Sequence, residues 1–235
     1  IPIYVDVDTG LHRMGRSPEE SVTSILEISK LPFIEVRGVM SHTGHAGKET
    51  TNEARKKVAI EEATILYETK MKCEKLGVHI PEISVGATST APYIKDIPYA
   101  TEARPGMYVY NDWITMLNGA AREEDCAVTI FSTVISKPGG NRLIIDAGSK
   151  TLAREPVRVD GLGYIKGHEE LVITTLSEEH GGVEIRGETD LEVGDVVEII
   201  PNHVCPVINL ADELLGFRNG RFEEAIPVLA RGKNR

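Results

Sequence analysis

Near the end of the chain, Asn202-His203-Val204-Cys205-Pro206 sets an imidazole and a thiol two residues apart. In an extended segment side chains i and i+2 leave the same face, so His203 and Cys205 are expected to reach one ion. Imidazole with thiolate is a borderline-to-soft donor pair, which suits zinc better than magnesium or calcium. Two protein ligands fall short of a structural zinc shell and leave positions for water or substrate, as in catalytic sites. The competing reading of the same spacing is a buried cysteine beside a surface histidine.

Four further segments carry polar groups at the expected ends of strands. Asp6-Val7-Asp8-Thr9-Gly10-Leu11-His12-Arg13-Met14-Gly15 sends Asp8, Thr9 and Arg13 out of the first. Ser41-His42-Thr43-Gly44-His45 brings two histidines straight after the second. Ser84-Val85-Gly86-Ala87-Thr88-Ser89-Thr90 is a small-residue loop expected to enter a helix, where free backbone N–H groups and hydroxyls hold a phosphate. Glu102-Ala103-Arg104-Pro105-Gly106-Met107-Tyr108 adds an arginine and a tyrosine beside a Pro-Gly turn. Taken singly, a helix cap, turn histidines and surface ion pairs explain them as well. Four successive polar strand ends on one rim point instead to a site, because β/α barrels keep their chemistry there.

The elements that must position these groups divide near residue 117. Before it, strands are expected over 2–8, 33–40, 81–85 and 106–110. One helix is expected to open at Ser17-Pro18-Glu19-Glu20, with Ser as N-cap and Pro at the first position. A second covers roughly 50–76, burying a face with Ala54, Val58, Ile65 and Leu76, and stops at Gly77. Strand–helix repeats of about 40 residues imply a parallel sheet, and four strands are half of a (β/α)8 TIM-type barrel. After residue 120, apolar segments at 127–136, 142–146, 171–176, 183–186, 196–200, 207–210 and 225–230 are separated by Gly, Asn, Asp and Pro turns. That texture implies an all-β domain. The expected organisation is α/β: residues 1–117 the C-terminal half of a barrel, residues 118–235 a β domain carrying the metal pair, with a site between them.

Composition narrows the partners. The 235 residues are 41% hydrophobic and 26% charged, as in an ordinary soluble globular protein. A formal net charge of −10 argues against nucleic acid or an anionic membrane as partner. Three scattered cysteines make no disulfide framework, which suits a reducing cytoplasm, and Cys73 and Cys126 are expected as small buried apolar groups. The chain opens on Ile1 directly in a strand pattern. It is expected to be part of a longer protein, unable to stay soluble without the rest because a half barrel leaves two strand edges unpaired.

In order, Val-Asp-Thr-Gly-Leu-His-Arg-Met-Gly, Ser-His-Thr-Gly-His, Ser-Val-Gly-Ala-Thr-Ser-Thr, Arg-Pro-Gly-Met-Tyr and Asn-His-Val-Cys-Pro resemble the alanine-racemase-fold pyridoxal-phosphate enzymes, specifically the D-threonine aldolase and D-serine dehydratase group. The resemblance spans essentially the whole chain and leaves out the family's N-terminal part. It implies a β/α barrel with pyridoxal 5′-phosphate at its mouth, then a β domain with a metal on the His-x-Cys pair. By that resemblance Gly86, Ala87 and Thr88 cradle the cofactor phosphate with Tyr108 as a further donor. Arg13 lies near the cofactor's ring oxygen and His42 near its ring. His203 and Cys205 bind Zn2+ (or Mn2+), and His180 in Glu178-Glu179-His180-Gly181 is the candidate catalytic residue, an exposed turn histidine being the alternative. The family's lysine that carries the cofactor as a Schiff base lies on a first barrel strand outside this chain. None of Lys30, Lys48, Lys95, Lys137 or Lys150 stands in its motif. The family also implies homodimers and D-amino acid substrates.

Pyridoxal phosphate withdraws electrons from bonds at Cα, and the protein selects which bond breaks. A metal beside it has an evident use in coordinating the β-hydroxyl of a hydroxy amino acid. Aldol cleavage of a D-threonine-like substrate to glycine and an aldehyde is the favoured expectation, with D-serine dehydration next, since Cys205 resembles the dehydratases. Racemisation follows: it needs a second base, for which Tyr164 is the only plausible tyrosine, and Asp6 stands where racemases carry a lysine. A non-catalytic pyridoxal-phosphate-binding protein is the rival from another class; its relatives resemble the barrel alone.

Overall fold

A computed structural model describes residues 1–233, which form two compact units. One comprises Ile1–Tyr108 with Asn118–Ala120, the other Val109–Leu117 with residues from Ala121 onward.

The first unit runs β1 (Pro2–Asp6), α1 (Pro18–Ile28), β2 (Glu35–Met40), α2 (Asn52–Lys75), β3 (Glu82–Val85) and β4 (Glu102–Ala103). The strands form one parallel sheet in the order β1-β2-β3-β4. Alternation splits its residues between two faces. Val5 pairs with Val39 and Val39 with Ile83, and this apolar row joins Ile25, Ala59, Ala63 and Leu66 of the helices in the core. The opposite face carries the row Asp6, Met40, Ser84 and Glu102. α1 begins as expected: the Ser17 hydroxyl accepts from the Glu20 amide while the Glu20 carboxylate accepts from the Ser17 amide, with Pro18 at the first position.

One expectation for the sheet and one for helix α2 fail. The fourth strand is Glu102–Ala103; residues 107–109, expected as strand, make a 3₁₀ turn after Pro105-Gly106. Helix α2 buries Arg55, Ala59, Glu62, Ala63, Leu66, Thr69 and Cys73, whereas Leu76 is 60% exposed. The packed stripe has helical spacing but contains an arginine, a glutamate and a threonine, which disguise it as the solvent face.

The second unit contains α3 (Trp113–Leu117), β5 (Ile130–Ser136), β6 (Arg142–Ile145), α4 (Ser149–Leu152), β7 (Tyr164–Ile165), β8 (Leu171–Leu176), β9 (Gly181–Ile185), β10 (Val196–Ile200), α5 (Val204–Leu210), β11 (Glu213–Arg218) and β12 (Arg221–Pro227). Six strands form an antiparallel sheet in the order β7-β10-β5-β6-β9-β8 around Val134, Leu143, Ile145, Ile173, Val183 and Ile199; β11 and β12 pair as a separate hairpin. The β texture is therefore present, with one correction that bears on chemistry. Val207–Leu210, expected as strand, lies in α5. Pro206 in its first turn loses no hydrogen bond there, so a helix tolerates it. Cys126 is buried after a 3₁₀ turn, ahead of β5. No described helix is long and apolar enough to cross a membrane.

Candidate functional site

In the first unit the strand-end loops form a dense polar cluster. Asp8 organises the loop after β1: its carboxylate accepts from the amides of Gly10 at 2.9 Å and His12 at 3.0 Å, and contacts His12 Nδ1 at 2.7 Å. His42, after β2, meets the Gly86 carbonyl through Nδ1 at 2.8 Å, so the second and third loops are tied together. Arg104, after β4, donates from Nε to Ser84 Oγ at 2.7 Å and from its other arm to the Ser41 carbonyl. Burial pushes the Asp6 carboxyl up, opposed by Arg104, Arg13 and His42. Burial and Arg13 lower His42, so it is held as the neutral imidazole. Asp6, Thr9, Arg13 and His42 line one concavity.

The Gly86-Ala87-Thr88 loop has the features of a ligand cradle. Gly86 has φ +144°, and a Cβ there would stand 2.8 Å from the Arg104 amide nitrogen, so only glycine fits. Thr88 is buried, and its Oγ1 has no hydrogen-bond partner among the described residues. A buried hydroxyl without a partner costs about 1–3 kcal/mol, a cost that an anion accepting from it would remove. The loop turns through residues 88–90 into a short 3₁₀ segment, Ala91–Asp96, where a helix was expected. Tyr108 is exposed, as is Arg13.

One residue here was missed by sequence reading. Glu62 of α2 is 1% exposed, and its carboxylate accepts from Ser41 Oγ at 2.7 Å, Gly86 N at 3.1 Å and Thr43 Oγ1 at 3.3 Å. It braces two loops at once. Burial pushes its pKa up, partly offset by these hydrogen bonds. The signal available was a glutamate between Ala59, Ala63 and Leu66 on one helical stripe.

In the second unit the structure brings His203 and Cys205 together by a route other than the expected one. His203 is the extended N-cap of α5, with φ −139° and ψ 114°, while Cys205 already lies in the first turn. The same-face rule for strands therefore does not operate. The imidazole nevertheless interacts with two groups: Asp112, whose Oδ2 lies 3.1 Å from Nδ1, and the Cys205 thiol. First Asp112 and then Cys205 push the imidazole's pKa up to about 10. His203 is half-buried and Cys205 exposed, which leaves the thiol accessible. A borderline donor set beside a buried carboxylate fits a zinc-like ion. Among the described residues no group of three His, Cys, Asp or Glu side chains makes a fuller shell. Asp112 is fully buried and was not singled out from the sequence.

His180 sits in the exposed turn between β8 and β9, its carbonyl accepting from the Ser177 amide at 2.8 Å. Tyr164 packs on Trp113 and donates to Glu123 at 3.2 Å. A concavity of this unit, about 490 Å³, is lined by apolar residues such as Phe131, Val207, Leu215 and Phe217, and neither His203 nor Cys205 lines it.

Comparison with known proteins adds the following. Residues 1–112 match the family described as "Alanine racemase, N-terminal domain" and residues 127–217 that described as "Putative serine dehydratase domain". The chain is 29% identical over 244 residues to a D-threonine aldolase of Arthrobacter sp., covering all of this chain and 62% of the aldolase. It is 28% identical over 229 residues to a D-serine dehydratase of Dictyostelium discoideum, covering 86% of this chain and 57% of that protein. The chain thus spans about 60% of the length of these relatives. In fold it superimposes with a TM-score of 0.87, at 24% identity, on the D-threo-3-hydroxyaspartate dehydratase of Delftia sp. HT23, covering 97% of this chain and 66% of that one.

Proposed function

Because the chain belongs to the alanine-racemase-fold family, we propose that the protein containing it is a pyridoxal-phosphate- and metal-dependent lyase acting on D-β-hydroxy amino acids, cleaving D-threonine-like substrates to glycine and an aldehyde. The observation that carries the metal-dependent part is the buried Asp112 carboxylate on His203 Nδ1 with the Cys205 thiol beside the ring. Under this reading residues 1–117 are the second half of a barrel and residues 118–235 its β domain, in a homodimer.

When bound, pyridoxal phosphate supplies an electron sink for bonds at the substrate Cα, and a divalent ion supplies a Lewis acid for a β-hydroxyl. Gly86, Ala87 and Thr88 hold the phosphate, the orphan Thr88 hydroxyl donating to it, with Tyr108 as a further donor. His42, kept neutral and fixed on the Gly86 carbonyl, presents its ring to the cofactor, and Arg13 adds positive charge near the ring oxygen. His203 and Cys205 hold the ion, and the thiolate favours zinc over manganese. His180, in its exposed turn, is the proton-transfer candidate.

Dehydration to a 2-oxo acid and ammonia is the second reading, favoured by Cys205 and by the similarity to a D-serine dehydratase. Racemisation is disfavoured: it needs a second base, and the only candidate tyrosine, Tyr164, has its hydroxyl engaged with the Glu123 carboxylate. The test uses the full-length protein with pyridoxal phosphate and zinc, given D-threonine and D-serine separately. Glycine with acetaldehyde is the expected outcome; ammonia with a 2-oxo acid establishes the dehydratase instead. Either activity disappears in His203→Ala and on chelation. Loss of chirality with no bond broken would sink the lyase reading.

A further inference from the structure

The His203 ring can coordinate an ion through only one nitrogen at a time, and something must decide which nitrogen and which ring orientation. The second unit contains a group placed to do so. Asp112 precedes α3, and its carboxylate is fixed on both sides. Oδ1 accepts from the Thr115 amide at 2.9 Å; Oδ2 accepts from the Val204 amide at 3.0 Å and lies 3.1 Å from His203 Nδ1. The backbone around it is equally held. The Asp112 amide donates to Thr115 Oγ1 at 2.8 Å, and that hydroxyl donates to the Asp112 carbonyl at 2.7 Å. The next two amides, of Trp113 and Ile114, donate to the carbonyls of Pro201 and Asn202 at 3.0 and 3.2 Å. The segment carrying the carboxylate is therefore pinned to the segment carrying the imidazole. With no exposed surface, Asp112 has no solvent to compete for these bonds.

We propose that Asp112 is a positioning residue for metal binding: its buried carboxylate fixes His203 through Nδ1, leaving Nε2 as the nitrogen available to an ion held with Cys205. A carboxylate behind a ligating imidazole sets the tautomer and makes the other nitrogen a better donor, and its loss typically costs 10–100-fold in metal affinity. The inference rests on the metal reading above. Oδ2 also caps α5 at the Val204 amide, so the structural role has to be separated from the positioning role.

The experiment measures zinc affinity of the full-length protein by competition with a chromophoric chelator, with thermal melting alongside. Asp112→Asn keeps the size of the side chain and removes its charge; it is expected to weaken zinc about 10–100-fold. Val204→Pro removes the amide that Asp112 caps, exchanges one buried apolar side chain for another and leaves the Asp112 carboxylate in place. Proline suits the first helical position, and the extended His203 suits the residue before proline, so zinc affinity is expected to stay within a few-fold of the parent. Equal weakening in both variants, in step with their melting temperatures, would make Asp112 a helix cap and overturn the proposal. So would Asp112→Asn binding zinc like the parent while His203→Ala does not; the metal reading would then survive alone. If His203→Ala binds zinc like the parent, the metal reading falls and this inference with it.

Discussion

Glu62 and Thr88 show how single buried polar groups set measurable properties of this protein. The Glu62 carboxyl has its pKa raised by burial. A carboxyl raised on folding contributes stability that is complete below its ordinary unfolded value and is lost as pH rises through the folded one. Glu62→Gln does not titrate. Its melting temperature relative to the parent is therefore expected to move in the variant's favour from about pH 4 to about pH 8. A constant gap across that range would show that Glu62 keeps an ordinary pKa. Thr88 carries the opposite problem, a hydroxyl with no partner among the described residues. Thr88→Val keeps the shape and is expected to stabilise the cofactor-free protein by about 1 kcal/mol while weakening pyridoxal-phosphate binding about tenfold. Melting temperature and spectroscopic cofactor titration check the two halves separately.

Elements differ in how openly the chain declares them. α1 depends on a purely local device: Ser17 Oγ lies 2.7 Å from Glu20 Oε2 and the Ser17 amide donates to the same oxygen at 3.2 Å. Ser17→Ala is expected to cost about 1 kcal/mol by denaturant unfolding, with Ser17→Asp restoring most of it. Serine, proline and two glutamates in a row made that start legible. α5 was not legible, because Val-Cys-Pro-Val-Ile-Asn-Leu has the β-branched, proline-interrupted look of a strand. Its first amide is instead capped by Asp112, which lies 92 positions earlier. α2 was found in extent but turned about its axis, since its packed stripe contains Glu62, whose partners come from other loops.

For the whole molecule, the parallel sheet is the exposed liability. β1 and β4 are its two edges, and the helices pack on the face bearing Val5, Val39 and Ile83. Parallel sheets are normally covered on both faces, and open edges invite pairing with another chain. Residues 1–235 produced alone are therefore expected to aggregate and be lost from the soluble fraction; a stable monomer on size exclusion would contradict this.

By itself the sequence determined the alternation of elements, the cap of α1 and the ordered loop motifs. All of these rest on short-range spacing, backbone propensity or residue type. Tertiary structure alone decided which carboxylates are buried against the candidate residues. Glu62 reaches Ser41 and Gly86 across 21 and 24 positions, and Asp112 reaches His203 across 91. A buried charge is stable only where distant donors surround it, and no local pattern in a chain records where those donors will come from.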